Sequence, residues 1–117
     1  MFLAHISQDQ TREQTIAAHC HGTAHLAGDF ASSFKCKEWG YGCGLIHDIG
    51  KYSEKFQERL HGGSITDHAT AGAQELYKRK NIYAAYCISG HHSGLLNGGT
   101  CAACAGEATF MGRMKKG

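Results

Sequence analysis

Residues of the types that bind metal ions recur along this chain, and their spacing constrains how the chain can fold. They comprise two isolated histidines, one His-Asp dipeptide and one His-His doublet, namely His19, His47, Asp48, His68, His91 and His92. Glycines bracket the dipeptide and the doublet, as Gly44-Leu-Ile-His-Asp-Ile-Gly50 and Gly90-His-His-Ser-Gly94. Five imidazoles and one carboxylate are enough to surround two metal ions. Because they lie far apart in sequence, they form one site only if the fold brings their segments together.

Helical periodicity runs through most of the sequence and predicts an all-α fold in a single domain, residues 1–117. Between Thr11 and Lys35, apolar and small residues recur three and four positions apart and predict one long helix. Its buried stripe would hold His19, and His21 and His25 would face solvent. The full predicted stripe is Ile16, His19, Cys20, Thr23, Ala24, Ala27, Phe30, Ala31 and Phe34.

Four further helices are predicted from the spacing of apolar residues and from capping signals. They cover 38–49, with Trp39 as an apolar anchor and Gly50 ending the helix, then 51–60, 66–80 and 81–89. Thr66 or Asp67 is the predicted cap of the helix that reaches Lys80. A loop follows over 97–106, and another short helix begins near Glu107.

Composition and the N-terminal sequence indicate the cellular compartment of the protein. No run of about 18 apolar residues predicts a membrane span, and the N-terminus lacks the basic and apolar regions of a signal peptide. The six cysteines are therefore expected to be reduced thiols in a cytoplasmic protein. Cys101 and Cys104 form a single CxxC pair, half of a zinc site, and are interpreted as a loop feature.

Charge is distributed unevenly along the chain. Residues 78–117 contain six basic side chains and one acidic residue, Glu107. A basic C-terminal portion suits a polyanionic partner, although a solvated face has the same composition.

The His-Asp dipeptide explains how two metals could be held. Neighbouring residues of a helix point about 100° apart, so His47 and Asp48 can face one small volume. The two oxygens of Asp48 could bridge metals about 3.5–4 Å apart. His19 and His47 would then bind one ion, and His68, His91 and His92 the other.

Nitrogen-rich ligands favour manganese, iron, cobalt or nickel, with magnesium as an alternative. Lys51, three residues after Asp48, could hold a substrate phosphate or stabilise a departing oxygen. Asp48 and Lys51 are therefore the candidate catalytic residues. Four of the ligands also have a structural interpretation: His19 as a core histidine, His68 as a helix-start residue, and His91 and His92 as a polar loop.

The ordered motifs resemble the HD-domain superfamily of metal-dependent phosphohydrolases, and most of all the HD nuclease domain of the CRISPR-associated helicase-nuclease of type I systems. The resemblance is carried by Ala18-His19, by Trp39-Gly40-Tyr41 with Gly44–Tyr52, by Asp67–Gly72, and by Tyr86–Leu95. It implies a helical bundle around a di-metal site that degrades single-stranded DNA. It also implies a helicase domain or subunit and an RNA-guided surveillance complex as partners.

The same resemblance assigns all six ligand-type residues to the metals and Lys51 as an auxiliary cation. Relatives of this kind have a further aspartate after the His doublet, whereas no aspartate follows Asp67 here. We therefore expect a C-terminally incomplete domain that lacks its last helices and the downstream helicase. Two alternatives are an HD phosphohydrolase acting on small nucleotides and a metal-binding remnant without activity.

Overall fold

The computed structural model describes residues 1–99 and 109–116, and the predicted all-α class is confirmed apart from one two-stranded sheet. In chain order the elements are β1 Leu3–Ile6, β2 Glu13–Thr15, α1 Ile16–Ser32, α2 Lys37–Ile46, a 3₁₀ helix Ile49–Tyr52, α3 Glu54–Leu60, α4 Thr70–Lys78, α5 Ile82–Ser89 and α6 Phe110–Met114. They form two compact units, Met1–His68 and Ala69–Gly117. Within the described ranges, no helix is both long and apolar enough to span a bilayer.

The first helix begins at Ile16, so the prediction of a start at Thr11 was wrong. Residues 13–15 instead pair antiparallel with β1, which satisfies their backbone hydrogen bonds before the helix begins. The hydroxyl of Thr15 then accepts a hydrogen bond from the Ala18 amide at 3.1 Å and caps α1. The change of direction at Thr15 packs β1 against α1, where Ala4, Ile16 and Cys20 form a buried cluster.

Helices α1 and α2 pack antiparallel along a seam of small residues. Gly40 of α2 faces Ala27, and Gly44, one turn later, faces Ala24, one turn earlier in α1. A Cβ at Gly44 would lie 2.7 Å from the Cα of Ala24, and one at Gly40 would collide with the Ala27 carbonyl. Glycine is therefore required for the helix backbones to approach this closely. The seam fixes the register that brings the start of α1 to the end of α2.

The predicted stripe on α1 is confirmed only in part. Cys20 and Ala24 are buried, and His21 and His25 are exposed, as predicted. Phe30 is 74% exposed and Phe34 68% exposed, so their prediction as core residues was wrong. Because α2 meets α1 through glycines, the contact is narrow, and large side chains at the margin of the stripe stay outside it. Trp39, a predicted anchor of α2, is half-exposed for the same reason.

Other helix boundaries also differ from the predictions. The predicted helix over 38–49 ends at Ile46, and the segment 51–60 divides at Ser53, whose hydroxyl accepts from the Phe56 amide and caps α3. Helix α4 begins at Thr70 with Ala69 at its cap position, so neither Thr66 nor Asp67 is the cap.

The second unit is a cluster of α4, α5 and α6. Helix α5 spans Ile82–Ser89 with Asn81 as its side-chain cap and Gly90 after its end, which confirms the prediction over 81–89. Phe110 of α6 is buried between the rings of Tyr77 and Tyr86. The predicted CxxC pair and most of the predicted loop over 97–106 lie outside the described residues.

Candidate metal centre

The His-Asp dipeptide lies where α2 gives way to the 3₁₀ helix. His47 keeps helical backbone angles, whereas Asp48 leaves the helix with φ −114° and ψ 20°. This break turns the imidazole and the carboxylate toward the same volume, at the end of α2 that lies beside His19. The buried thiol of Cys20 lies close to the backbone of Asp48. Burial raises the pKa of that thiol.

Three donor atoms from His19, His47 and Asp48 converge in the first unit. The Nε2 atom of His19 lies 3.2 Å from Nε2 of His47 and 2.9 Å from Oδ2 of Asp48, and the His47 Nε2–Asp48 Oδ2 distance is 3.1 Å. Bonds of about 2.1 Å to one ion would separate neighbouring donors by about 3.0 Å at right angles and about 3.4 Å in a tetrahedron. The spacing and the mixed nitrogen and oxygen donors therefore fit one divalent transition metal.

The tautomer of His47 is fixed by the backbone of its own helix. Its Nδ1 lies 2.6 Å from the carbonyl oxygen of Gly44. A carbonyl only accepts hydrogen bonds, so Nδ1 carries the proton and Nε2 presents a lone pair to the centre. The arrangement follows from the spacing, because a residue at the end of a helix lies over the carbonyl three residues earlier.

For both His19 and His47, burial and the contacts with Asp48 shift the pKa in opposite directions, and the net result differs between the two. Burial lowers the pKa of His19, and the nearby carboxylate of Asp48 does not fully offset it. Burial also lowers the pKa of His47, but the hydrogen bonds to Asp48 and Gly44 outweigh it and the net pKa is raised. His19 is thus neutral, the metal-binding form, over a wider range of pH than His47.

His68 approaches the other oxygen of the same carboxylate. Its Nε2 lies 3.6 Å from Oδ1 of Asp48, and its ring packs edge-on against Phe56 with centroids 5.0 Å apart. Gly50 makes this approach possible, because a Cβ there would lie 2.8 Å from the Cα of His68 and still closer to its carbonyl oxygen. The sequence interpretation of Gly50 as a helix end missed this role.

Lys51 is buried beside Asp48 rather than exposed at the surface. Its Nζ lies 3.3 Å from Oδ2 of Asp48 and donates to the carbonyl of Ala4 at 3.3 Å, with Nζ 5.2 Å from the centre of the Phe56 ring. In a 3₁₀ helix residues three apart eclipse one another, which aligns the two charges. The predicted proximity of Lys51 to Asp48 is therefore confirmed.

Two neighbours of the centre had no role in the sequence interpretation of the site. The ring of His5, on β1, meets the ring of His19 edge-on with centroids 4.8 Å apart. Burial, followed by the charges of Lys51 and His19, lowers the pKa of His5. The side chain of Gln57 accepts from the Leu3 amide and donates to the carbonyls of Leu3 and Lys51, which binds β1 to the 3₁₀ helix. Neither contact has a local sequence signal, because each joins residues distant in sequence.

His91 and His92 belong to the second unit, immediately after α5. Their ring centroids are 4.1 Å apart, and both residues are exposed. The Nδ1 atom of His91 donates to the Ile88 carbonyl at 2.6 Å, three residues earlier, as His47 does to Gly44. This hydrogen bond assigns the proton to Nδ1, so that Nε2 of His91 has a lone pair, the form in which an imidazole binds a metal.

Comparison with known families gave one match of high coverage. A model described as the HD domain matches residues 16–108 of this chain. The matched range contains all six predicted metal ligands and Lys51. No curated protein matches the chain.

Proposed function

This chain belongs to the HD domain family, and from that premise we propose that it is a nuclease that hydrolyses phosphodiester bonds of single-stranded DNA. Membership accounts for the general activity, that of a metal-dependent phosphohydrolase. The choice of DNA rests on the resemblance of Gly44–Tyr52 and Tyr86–Leu95 to the CRISPR-associated nuclease domain. The observation that carries the proposal is the position of Asp48, whose two oxygens face different histidines.

The proposed metal ligands divide according to the oxygen of Asp48 that they accompany. His19 and His47 lie beside Oδ2 and would hold one divalent transition metal with it. His68 lies on the side of Oδ1, and we assign it to a second ion, with His91 and His92 added on the strength of the family resemblance. When bound, the metals supply Lewis acidity that activates water and neutralises charge on the phosphoryl oxygens.

The residues around the ligands have supporting roles. Lys51 balances the charge of the buried Asp48 and restrains its carboxylate, which keeps Oδ2 aimed at the two histidines. The Gly44 carbonyl holds the imidazole of His47 with its Nε2 lone pair inward. A direct contact between Lys51 and a substrate phosphate remains a prediction.

The partners and the compartment complete the proposal. We assign the chain to antiviral defence in the cytoplasm, beside a helicase domain or subunit and an RNA-guided surveillance complex. These assignments rest on the resemblance of the sequence motifs alone. Manganese, cobalt, nickel or iron is the expected metal, because the donors of the first site are nitrogen-rich.

The test is cleavage of circular single-stranded DNA by this chain with Mn²⁺, Co²⁺ or Ni²⁺. Asp48→Asn keeps the shape of the side chain but removes its charge, and should abolish cleavage by every metal. Asp29→Asn changes an exposed carboxylate of α1 and is the matched control. Circular dichroism of each variant verifies that the helices are intact.

Each other outcome favours a different interpretation. A folded wild-type chain that binds metal but cuts no DNA, and hydrolyses mononucleotides instead, would favour a phosphohydrolase of small nucleotides. Metal binding without turnover of either substrate would favour a remnant without activity. Cleavage that survives Asp48→Asn would mean that the centre described above is not the active site.

A further inference from the structure

A strongly basic turn joins α4 to α5 in the second unit. It comprises residues 78–83, Lys-Arg-Lys-Asn-Ile-Tyr, and we call it the basic turn. Lys78, Arg79 and Lys80 are all exposed. Arg79 pairs with Glu75 at 2.9 Å, and Glu75 is the only acidic side chain among the described residues of this unit. The turn therefore has a positive charge that no other described residue of its unit offsets.

Further basic residues are brought to the same helix by the packing of the C-terminal segment. The Gln74 side chain on α4 donates to the carbonyls of Arg113 and Lys116, at 2.9 and 2.6 Å. Lys78 follows Gln74 by four residues and so lies on the same face of α4. The segment that carries Lys115 and Lys116 is thus held against the face of α4 from which Lys78 projects.

An exposed aromatic ring stands at the end of the basic turn. Tyr83, in the first turn of α5, is 76% exposed, and Ile82 beside it is 53% exposed. Proteins bind single-stranded nucleic acid by combining cations that contact successive phosphates with an aromatic ring on which a base stacks. Neither an acidic protein nor the outside of a duplex requires the exposed ring.

We propose that the basic turn binds single-stranded nucleic acid, with Lys78 and Lys80 on the phosphates and Tyr83 stacked on a base. The proposal rests on the proposed nuclease function, since it identifies a surface that holds the same class of substrate. Binding here requires no metal, so it can be measured separately from cleavage.

The backbone of the turn offers a substitution that removes charge without disturbing the fold. Lys80 has φ 66°, and the amides of Lys80 and Asn81 bond back to the carbonyls of Tyr77 and Leu76 to close α4. Glycine is the residue that this left-handed position favours. Lys80→Gly therefore removes a cation while relieving backbone strain. Lys35, with φ 64° after the end of α1, gives a matched control, Lys35→Gly.

The experiment is fluorescence anisotropy of a labelled oligothymidylate of about 12 nucleotides with the full chain in EDTA. Lys80→Gly should weaken binding and reduce the slope of log Kd against log salt by about 0.7, whereas Lys35→Gly should leave both unchanged. Tyr83→Ala should weaken binding about fivefold or more, and Tyr83→Phe should retain it. All four variants should keep wild-type metal content.

Two results would overturn the proposal. One is equal loss of affinity in Lys80→Gly and Lys35→Gly, which would mean attraction by net charge alone. The other is binding that Tyr83→Ala leaves unchanged and that duplex DNA or anionic vesicles match, which would mean a general polyanion surface. Failure of the cleavage assay would refute the nuclease without changing the result in EDTA, so the two proposals fail separately.

Discussion

The close approach of Gly50 to His68 leads to a prediction about the proposed second metal ion. In Gly50→Ala the new Cβ would lie 2.8 Å from the Cα and carbonyl carbon of His68, against an ordinary contact of at least 3.4 Å. The backbone at His68 must therefore retreat by about 0.6 Å, or more to clear its carbonyl oxygen. Its Nε2, now 3.6 Å from Oδ1 of Asp48, would leave the carboxylate. His19 and His47 keep their positions, because the seam between α1 and α2 is unchanged.

Gly50→Ala should consequently lose one metal ion and keep the other. Overpacking costs about 1–3 kcal/mol, and the loss of backbone freedom in the unfolded chain returns less than 1 kcal/mol of this. We expect a net loss of about 1–2 kcal/mol in the free energy of unfolding and a fall of about 10²-fold in cleavage rate. Metal content after dialysis, measured by plasma mass spectrometry, should fall from the proposed two ions per chain to one.

The control is Gly42→Ala, on the same helix as the seam but with nothing within 4 Å of the added methyl. It should raise the free energy of unfolding by about 0.5–1 kcal/mol and leave metal content unchanged. If Gly50→Ala behaved like Gly42→Ala in stability, metal content and rate, the assigned role of this close approach would be wrong.

Three further perturbations probe the network around Asp48. Gln57→Ala removes three hydrogen bonds of the Gln57 side chain, two with Leu3 of β1 and one with Lys51 of the 3₁₀ helix. It should lower the free energy of unfolding in urea by about 1–3 kcal/mol, and a change below about 0.5 kcal/mol would contradict that role. Lys51→Met leaves Asp48 without its cation, and should destabilise the protein by about 3 kcal/mol in EDTA but less in Mn²⁺, because the metal replaces the charge. An equal loss in both media would argue against charge balance. The raised pKa of His47 means that its protonated form stabilises the metal-free protein fully below pH 6.5, and that this contribution disappears as the pH rises through the raised pKa. His47→Gln should flatten that part of the stability profile in EDTA, and an unaltered profile would refute the assignment.

The sequence predicted most of the helices and part of the centre, and its errors have physical causes. Spacing alone placed Lys51 beside Asp48, since both lie in one local segment. The start of α1 was misjudged because the pairing of residues 13–15 with β1 is set by a partner outside the helical pattern. Periodicity identified the face of α1 that holds Cys20, but not the width of the contact, which the glycines of α2 decide and which leaves Phe30 exposed.

The structural roles of the glycines were the hardest features to predict from the sequence. In the sequence, a glycine that ends a helix cannot be told apart from a glycine that allows another backbone segment to pack closely. For Gly50, only the position of His68 in the structure identifies the second role. The role of Gln57 was missed for a similar reason, because its partner strand precedes it by more than fifty residues. By contrast, the tautomer of His47 could have been inferred, since a histidine at a helix end lies over the carbonyl three residues earlier.

The glycine seam between α1 and α2 also bears on the order of folding. Helices joined by a short connection make local contacts, which form early because little loop entropy is lost. The donors of His19, His47 and Asp48 all depend on this helical hairpin, whereas His68 joins the centre from a later segment. We therefore expect a high φ-value for Ala24→Gly in the seam and a low one for Phe56→Leu beside His68. Half of the metal centre would then be assembled in the folding transition state, and divalent metal present during refolding would accelerate folding as well as slow unfolding.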